Sequence, residues 1–267
     1  MIKIFKNIIL FLFVSNTYVN AQDEIPKHQT IEIFSKTLNE NRIITIWTPD
    51  DYTTSNQNYP VLYMLDGGIN EDFPHLANTI AELINSKQII SIILVGIENT
   101  ERRRDLTGYT TIEKDKKIAP IVGESTNFRT FIADELIPKI NQKYRVNDQK
   151  GIIGESLAGL FVVETLFEQP ELFDDYIAFD PSLWWNNQYI VKNSKSNLSI
   201  TSSKPLKFWF AGSGAKDINA NTKQLAQNLK NNPLANLKWI YADEPKEKHN
   251  TIFRATKEKA LIWTFSK

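Results

Sequence analysis

A serine stands where an apolar segment meets a helical pattern in the stretch GIIGESLAG, residues 151–159. The residues two positions before and after Ser156 are small, Gly154 and Ala158, so strand and helix backbones can approach closely around a sharp turn. Such a turn exposes the hydroxyl and leaves the first helical N–H groups, including that of Leu157, free to bind an anion. We therefore predict Ser156 as a nucleophile. An ordinary helix N-cap is the alternative, but it does not explain the two small neighbours.

A serine hydroxyl is a weak nucleophile and needs a base, most often histidine, that a third group orients. The chain has three histidines, His28, His75 and His249. Only His249 follows the last predicted strand, in a polar loop where it can reach a serine at the same edge of a parallel sheet. We predict His249 as the base, and a solvated loop histidine is the alternative interpretation.

The orienting acid is expected on a loop that follows a late strand. Asp217 is the first choice, because it ends the turn GSGAKD after the apolar segment 206–210. With this choice the chain order is serine, acid, histidine, which is the order found in α/β-hydrolases. Three other acids stay open as alternatives, namely Asp243, Glu244 and Asp180.

A second donor for an oxyanion is expected from the turn after an early strand. Residues 66–68 read DGG directly after the apolar segment 61–65. Because glycine leaves its N–H unobstructed, Gly68 is the candidate donor beside Leu157. A plain turn is the alternative for this stretch.

Composition limits the classes of function. The chain has 267 residues, 42% of them hydrophobic, enough for one large α/β domain, predicted over residues 22–267. Its 31 basic and 31 acidic residues balance and form no basic patch, which argues against a nucleic-acid partner. Since the chain has no cysteine, disulfides, thiolate nucleophiles and cysteine-ligated metal sites are excluded. The predicted chemistry requires no metal and no organic cofactor.

The first 21 residues have the pattern of a secretory signal peptide. Lysines precede a short apolar run at 8–14, and a small residue, Ala21, stands at the expected cleavage site. The run is too short to span a bilayer. We expect a protein exported to the periplasm or the medium, with no membrane span in its mature form. A buried N-terminal strand or an uncleaved anchor is the alternative.

The periodicity predicts a strand hairpin followed by alternating strands and helices. The hairpin strands are expected at 30–36 and 42–49. Further strands are expected at 61–65, 88–97, 151–154, 176–179, 206–210 and 237–241, and helices at 73–87, 127–144, 157–167, 221–230 and from about 251. This order predicts an α/β fold with a mainly parallel central sheet, an N-terminal antiparallel hairpin and helices on both faces. Ligands then bind at the carboxyl ends of the strands.

Two segments lack a clear period. Residues 98–126 are rich in charge and threonine and are long for a connection, so a role as a lid over the site stays open. Residues 186–204 are rich in Asn, Ser and Lys and are expected to form a solvated surface excursion.

Five motifs occur in order from about residue 31 to the end of the chain: YPVLYMLDG (59–67), RRRDLT (102–107), GESLAGLF (154–161), DPSLWWN (180–186) and EKH (247–249). Together they resemble the esterase-D-like putative esterases of the α/β-hydrolase superfamily, which include siderophore esterases of the enterobactin and bacillibactin type and feruloyl-type carbohydrate esterases. The resemblance implies the α/β-hydrolase fold, with the nucleophile at Ser156 and the base at His249.

Three further residues are candidates for substrate contact. Trp184 and Trp185 are expected near the strand ends, where they form a wall of an acyl or aromatic pocket or pack beneath the loop. Arg104 is expected to face an anionic substrate or, with Asp105, to clamp the long loop.

The sequence thus predicts a secreted serine hydrolase that cleaves a carboxylic ester through an acyl-enzyme intermediate. The expected substrate is a small-molecule, glycan or siderophore ester. Two alternatives stay open: a non-catalytic ligand-binding protein on the same fold, and a thioesterase or peptidase that uses the same residues.

Overall fold

The computed structural model describes residues 23–197 and 202–266. The strands in this part of the chain are β1 (Gln29–Ser35), β2 (Glu40–Trp47), β3 (Tyr59–Leu65), β4 (Ile93–Ile97), β5 (Val146–Glu155), β6 (Asp175–Phe179), β7 (Leu206–Ser213) and β8 (Leu237–Glu244). They form one sheet in the order β1-β2-β4-β3-β5-β6-β7-β8. The β1–β2 and β2–β4 pairs are antiparallel, and the other pairs are parallel. The predicted signal peptide, residues 1–21, lies outside the described residues, so export stays a prediction.

The helices cover both faces of the sheet. They are α1 (Phe73–Asn85), α2 (Arg102–Asp105), α3 (Glu113–Ile118), α4 (Ser125–Phe131), α5 (Ile137–Lys143), α6 (Leu157–Glu168), α7 (Trp185–Asn197), α8 (Lys216–Asn231) and α9 (Ile252–Phe265), with a π-helical turn at Ile132–Leu136 between α4 and α5. One apolar cluster packs α1 and α9 on one face, and the other packs α4 to α8 on the opposite face. The predicted fold class is therefore confirmed.

The central strands are apolar throughout because helices cover them on both sides. Every residue of β3, β4 and β6 is buried, as expected for parallel strands inside an α/β sheet. Among the described residues, no helix combines the length and apolar character needed to cross a bilayer.

One predicted strand is shorter than expected. Residues 88–92 are not part of β4, which begins at Ile93. Lys87 takes a left-handed conformation with a φ of 61° and ends α1, and the N–H of Ile90 donates to the carbonyl of Phe265 at the end of α9. Residues 88–92 therefore lead from α1 to β4 and are bonded to the end of α9 instead of extending the strand.

The solvated excursion predicted at residues 186–204 is wrong over its first part, which forms α7. Asn186, Asn187 and Gln188 have φ values of 48°, 54° and 62°, so the helix begins with a left-handed turn that polar amide residues tolerate. The helix is fixed to α8, because Asn228 Nδ2 donates to the carbonyl of Val191 at 2.9 Å. The many Asn residues hid this start, since they are also typical of loops.

The long segment 98–126 is tied to its surroundings by α2 and by specific bonds. Arg42, which is 1% exposed, pairs with Asp105 at 2.6 Å and with Glu40 at 2.8 Å. Arg104 also pairs with both Glu40 and Asp105. The Arg104 guanidinium is thus bonded to two carboxylates, which favours the clamping role over the predicted contact with substrate.

Candidate active site

The turn that carries Ser156 is strained and closely packed. Ser156 has a φ of 62° and a ψ of −118° between β5 and α6, and its side chain makes no N-cap hydrogen bond. A Cβ on Gly154 would lie 2.7 Å from the Cβ of Ala158, so glycine is required there. The Ser156 N–H donates to the carbonyl of Phe179, and its carbonyl accepts from Ser182. The neighbouring strand β6 and the segment after it therefore hold the serine in place.

The histidine loop reaches this serine across the carboxyl ends of the strands. His249 Nε2 lies 3.1 Å from Ser156 Oγ. The loop passes close to the end of β7, since a Cβ on Gly214 would lie 2.3 Å from the carbonyl oxygen of Pro245. The Gly214 N–H also donates to the carbonyl of Glu247 at 3.0 Å. A glycine at this position therefore permits the approach that brings base and hydroxyl together.

The acid that contacts the histidine is Asp180. Its Oδ2 lies 2.9 Å from His249 Nδ1, and its carboxylate accepts bonds from the backbone N–H and the hydroxyl of Ser213, both at 2.6 Å. Asp180 is fully buried and follows β6 with a φ of 41°. Since an ionised carboxylate only accepts, Nδ1 carries the ring proton and Nε2 is left to accept from Ser156.

The first choice of acid, Asp217, is corrected by this geometry. Asp217 is exposed in the first turn of α8, and its carboxylate makes no contact with the histidine. Two of the alternatives have other partners: Asp243 pairs with Lys223 at 3.3 Å, and Glu244 pairs with Lys259 at 2.8 Å. Asp217 lies in the first turn of α8 and acts on His249 only through its charge.

The two predicted oxyanion donors differ in whether their backbone N–H groups are already hydrogen-bonded. The Leu157 N–H has no hydrogen-bond partner among the described residues, as expected for the first residue of a helix. The Gly68 N–H instead donates to Glu71 Oε2 at 2.6 Å. The other oxygen of Glu71 accepts from Asn99. Leu157 is therefore available as a donor, whereas Gly68 is engaged by a carboxylate.

Sequence reasoning missed three residues of this site. Ser213 fixes the carboxylate of Asp180. Ser182 places its Oγ 3.4 Å from that of Ser156. Glu71 occupies the Gly68 N–H. Ser182 lies inside the DPSLWWN motif, which could have signalled it, but no pattern in the sequence pointed to Glu71.

The predicted tryptophans have mainly packing roles. Trp185 is buried, and its Nε1 donates to the carbonyl of Gly108 at 3.1 Å. Trp184 is half-buried and packs against the same apolar cluster, with its ring centroid 6.0 Å from that of Trp185. The pair therefore fixes the segment after β6 to the 98–126 segment.

The charges around the base raise its affinity for a proton. The hydrogen bond to Asp180 raises the pKa of His249, burial opposes this shift, and the charges of Asp180, Glu155 and, least, Asp217 add to it. Glu155 precedes Ser156, and burial raises the pKa of this carboxyl to about 7, which the charge of His249 opposes and nearby Asp72 reinforces. Glu155 Oε1 has no hydrogen-bond partner among the described residues.

The family model for the putative esterases matches residues 35–264. The chain belongs to this family. The predicted resemblance is therefore confirmed, and the chain is an esterase of the α/β-hydrolase fold.

Individual relatives of the chain are also named as esterases or hydrolases. The ferri-bacillibactin esterase BesA of Bacillus subtilis is 30% identical over 215 residues, which cover 72% of this chain and 74% of the relative. The apo-salmochelin esterase of Escherichia coli is 26% identical over 242 residues, covering 81% and 73%. The structure of an IroE-like serine hydrolase from Shewanella oneidensis superposes with a TM-score of 0.82 at 26% identity, over 90% of this chain and 80% of that one.

Replacing Glu155 with Gln is expected to shift the acidic limb of the pH profile of kcat/KM to lower pH. The ionised Glu155 raises the pKa of His249, and only the neutral imidazole accepts a proton. Removing the charge therefore lowers that pKa and keeps the base neutral at lower pH. The profile is measured with p-nitrophenyl acetate. Glu113→Gln, at a side chain that is 81% exposed, is the control. An unchanged limb, or a shift to higher pH, contradicts this assignment.

The variants Asp180→Asn and Asp217→Asn test which of the two acids orients His249. Asp180→Asn removes the charge that orients His249 and is expected to lower kcat by about 10³- to 10⁴-fold. Asp217→Asn is expected to change kcat by less than about threefold, since that side chain touches neither the base nor the serine. Steady-state kinetics, with circular dichroism to check folding, gives the comparison. A larger loss from Asp217→Asn would reverse the assignment.

Proposed function

We propose that this esterase is a serine hydrolase that uses Ser156, His249 and Asp180 as a catalytic triad. The observation that carries the proposal is the continuous chain of contacts from Asp180 Oδ2 through His249 to Ser156 Oγ, at 2.9 Å and 3.1 Å. Both distances lie in the range expected for a nucleophile, its base and an orienting acid. An intact set of this kind argues for catalysis over ligand binding alone.

In this mechanism the Ser156 oxygen attacks the ester carbonyl while His249 Nε2 takes the hydroxyl proton. The protonated imidazole then gives this proton to the leaving alcohol, and an acyl-enzyme forms on Ser156. Water, deprotonated by the same nitrogen, then attacks the acyl carbon. The bond to Ser156 Oγ breaks, the imidazolium returns the proton to this oxygen, and the acid leaves. Buried Asp180 stabilises the imidazolium in both steps.

The Leu157 N–H is the proposed first donor to the oxyanion, because it is unpartnered and lies directly after the nucleophile. Gly68 is the proposed second donor. A substrate oxygen at this position must displace the Glu71 carboxylate, which holds the N–H at 2.6 Å. Catalysis on this proposal therefore includes a movement of the Glu71 side chain.

The proposed substrates are the ester bonds of siderophores. Two relatives are named for this chemistry, the ferri-bacillibactin esterase of Bacillus subtilis and the apo-salmochelin esterase of Escherichia coli. The match to the first covers about three quarters of each chain, with the similarity extending well beyond the serine motif. The glycan ester that the sequence also suggested has no support among these relatives.

Ser156→Ala is expected to stay folded and to lose p-nitrophenyl acetate turnover by at least about 10³-fold, because no acyl-enzyme can form without the hydroxyl. A fluorophosphonate probe is expected to label the native protein and not the variant, as read by intact-protein mass spectrometry. Ser182→Ala is the matched control, since it removes the neighbouring hydroxyl and leaves the nucleophile. Equal turnover by Ser156→Ala would end the proposed mechanism.

Siderophore trilactones are expected to be hydrolysed with a kcat/KM at least about tenfold above that of methyl ferulate or acetylated xylan. Enterobactin and bacillibactin, each with and without Fe³⁺, are compared by liquid chromatography of the released monomers. Preferred turnover of ferulate or acetylxylan would reject the substrate class while leaving the serine mechanism intact.

A further inference from the structure

A cavity of about 350 Å³ lies between α6, α7 and the segment that precedes α4. Its volume falls within the range of small-molecule sites. Its wall includes the first turn of α6, where the N–H of Leu160 donates to the Ser156 carbonyl. The backbone N–H of Trp185, which is also in the wall, donates to the carbonyl of Ser182. The proposed mechanism assigns this cavity no role.

Two carboxylates line the cavity, and no lysine or arginine is among the described residues that do. Glu164 is the more buried of the two, with Oε2 buried and without a hydrogen-bond partner in the described part of the chain. Glu168 lies at the rim, 46% exposed. A Cβ on Gly108 would lie 2.5 Å from Glu164 Oε1, so glycine at this position leaves room for the carboxyl.

One buried cation lies behind this wall and does not balance the two carboxylates. Arg129 is 1% exposed and contacts Glu168 at 2.7 Å and Glu164 at 3.6 Å. Its other neighbours are neutral, since Nε donates to Thr165 and the guanidinium lies over the Phe161 ring. With both carboxyls ionised, the group carries one excess negative charge, and a bound cation favours this ionised state over protonation of Glu164. Burial raises the pKa of Glu164 to about 7, and the charge of Arg129 opposes this shift only in part.

A second feature of the wall is suited to a polar ligand. Ser125 lines the cavity and is 1% exposed, and its Oγ lies beside the Glu164 carboxyl without reaching good hydrogen-bond geometry to it or to any other described residue. A buried hydroxyl without a partner costs free energy unless a bound group satisfies it. The cavity therefore presents an unpaired hydroxyl beside an incompletely neutralised carboxyl.

Aromatic side chains form the outer part of the cavity. Tyr109 and Tyr189 line the cavity and are 70% and 50% exposed, so their rings are accessible to a ligand. Trp185 completes this wall, and its indole N–H is already taken up by the Gly108 carbonyl. Aromatic rings around a carboxylate are the surroundings in which proteins hold ammonium groups, through cation–π attraction and a charge-assisted bond.

We propose that this cavity binds an organic ammonium group, with Glu164 as its counter-ion, Ser125 as a polar partner and Tyr109, Trp185 and Tyr189 as its aromatic wall. Bound there, the cation neutralises the excess charge of the Glu164, Glu168 and Arg129 group. The wall of the cavity shares α6 with the turn that carries Ser156. The site does not depend on the proposed function, since binding requires no reaction at Ser156.

Isothermal titration calorimetry on the Ser156→Ala protein tests the proposal without turnover. The probes are 2-phenylethylammonium chloride and its neutral counterpart 2-phenylethanol, which differ mainly in charge. The ammonium is expected to bind at least about tenfold more tightly. Glu164→Gln, which removes the charge and keeps the shape, is expected to abolish this difference. Glu171→Gln, an exposed carboxyl outside the cavity, is the control and is expected to retain it.

Tyr109→Ala provides an independent arm, because this exposed ring is removed without disturbing the core. It is expected to weaken ammonium binding by at least about threefold while circular dichroism stays unchanged. Equal binding of the two probes, binding of neither, or binding that survives both Glu164→Gln and Tyr109→Ala would overturn the proposal. None of these results bears on turnover at Ser156, so the two proposals fail separately.

Discussion

The left-handed backbone of Ser156 is the constraint on which the whole site depends. A φ of 62° in a residue with a side chain costs free energy, on the order of 1–3 kcal/mol, unless the surroundings enforce it. Here β6 and the segment after it supply the enforcement, since Phe179 and Ser182 bond both backbone groups of the serine. The next residue after β6 is Asp180, the acid that orients the base. The end of β6 and the residues after it therefore hold the strained turn at Ser156 and also supply the acid that contacts His249.

Much of this arrangement could be predicted from the sequence because its signals are local. Continuous apolar runs marked the strands that helices bury on both faces, such as β3 and β6. Small residues on either side of Ser156 marked the turn, and the close contact between Gly154 and Ala158 shows why they are required. His249 could be chosen because chain order and sheet edge left no other histidine in reach.

The acid and the second donor could not be predicted, because both depend on contacts between distant segments. Asp180 and Asp217 follow neighbouring parallel strands, and the sequence does not show which of them approaches His249. Ser213 decides this, since it binds the carboxylate of Asp180 from the end of β7. The Gly68 N–H is likewise engaged by Glu71, three residues away, in a contact that glycine content cannot reveal.

The carboxylates around the base create an electrostatic conflict that burial partly resolves. Negative charge beside His249 favours the imidazolium formed during attack, yet it opposes the oxyanion that forms at the same moment. Arg102 offsets the charge of Asp66 through bonds at 2.6 Å and 2.7 Å. The Glu155 carboxyl has no ion-pair partner among the described residues, and burial raises its pKa to about 7 although the charge of His249 opposes this shift. Near neutral pH this carboxyl is therefore partly protonated, so it opposes the oxyanion less than a surface glutamate at the same distance would.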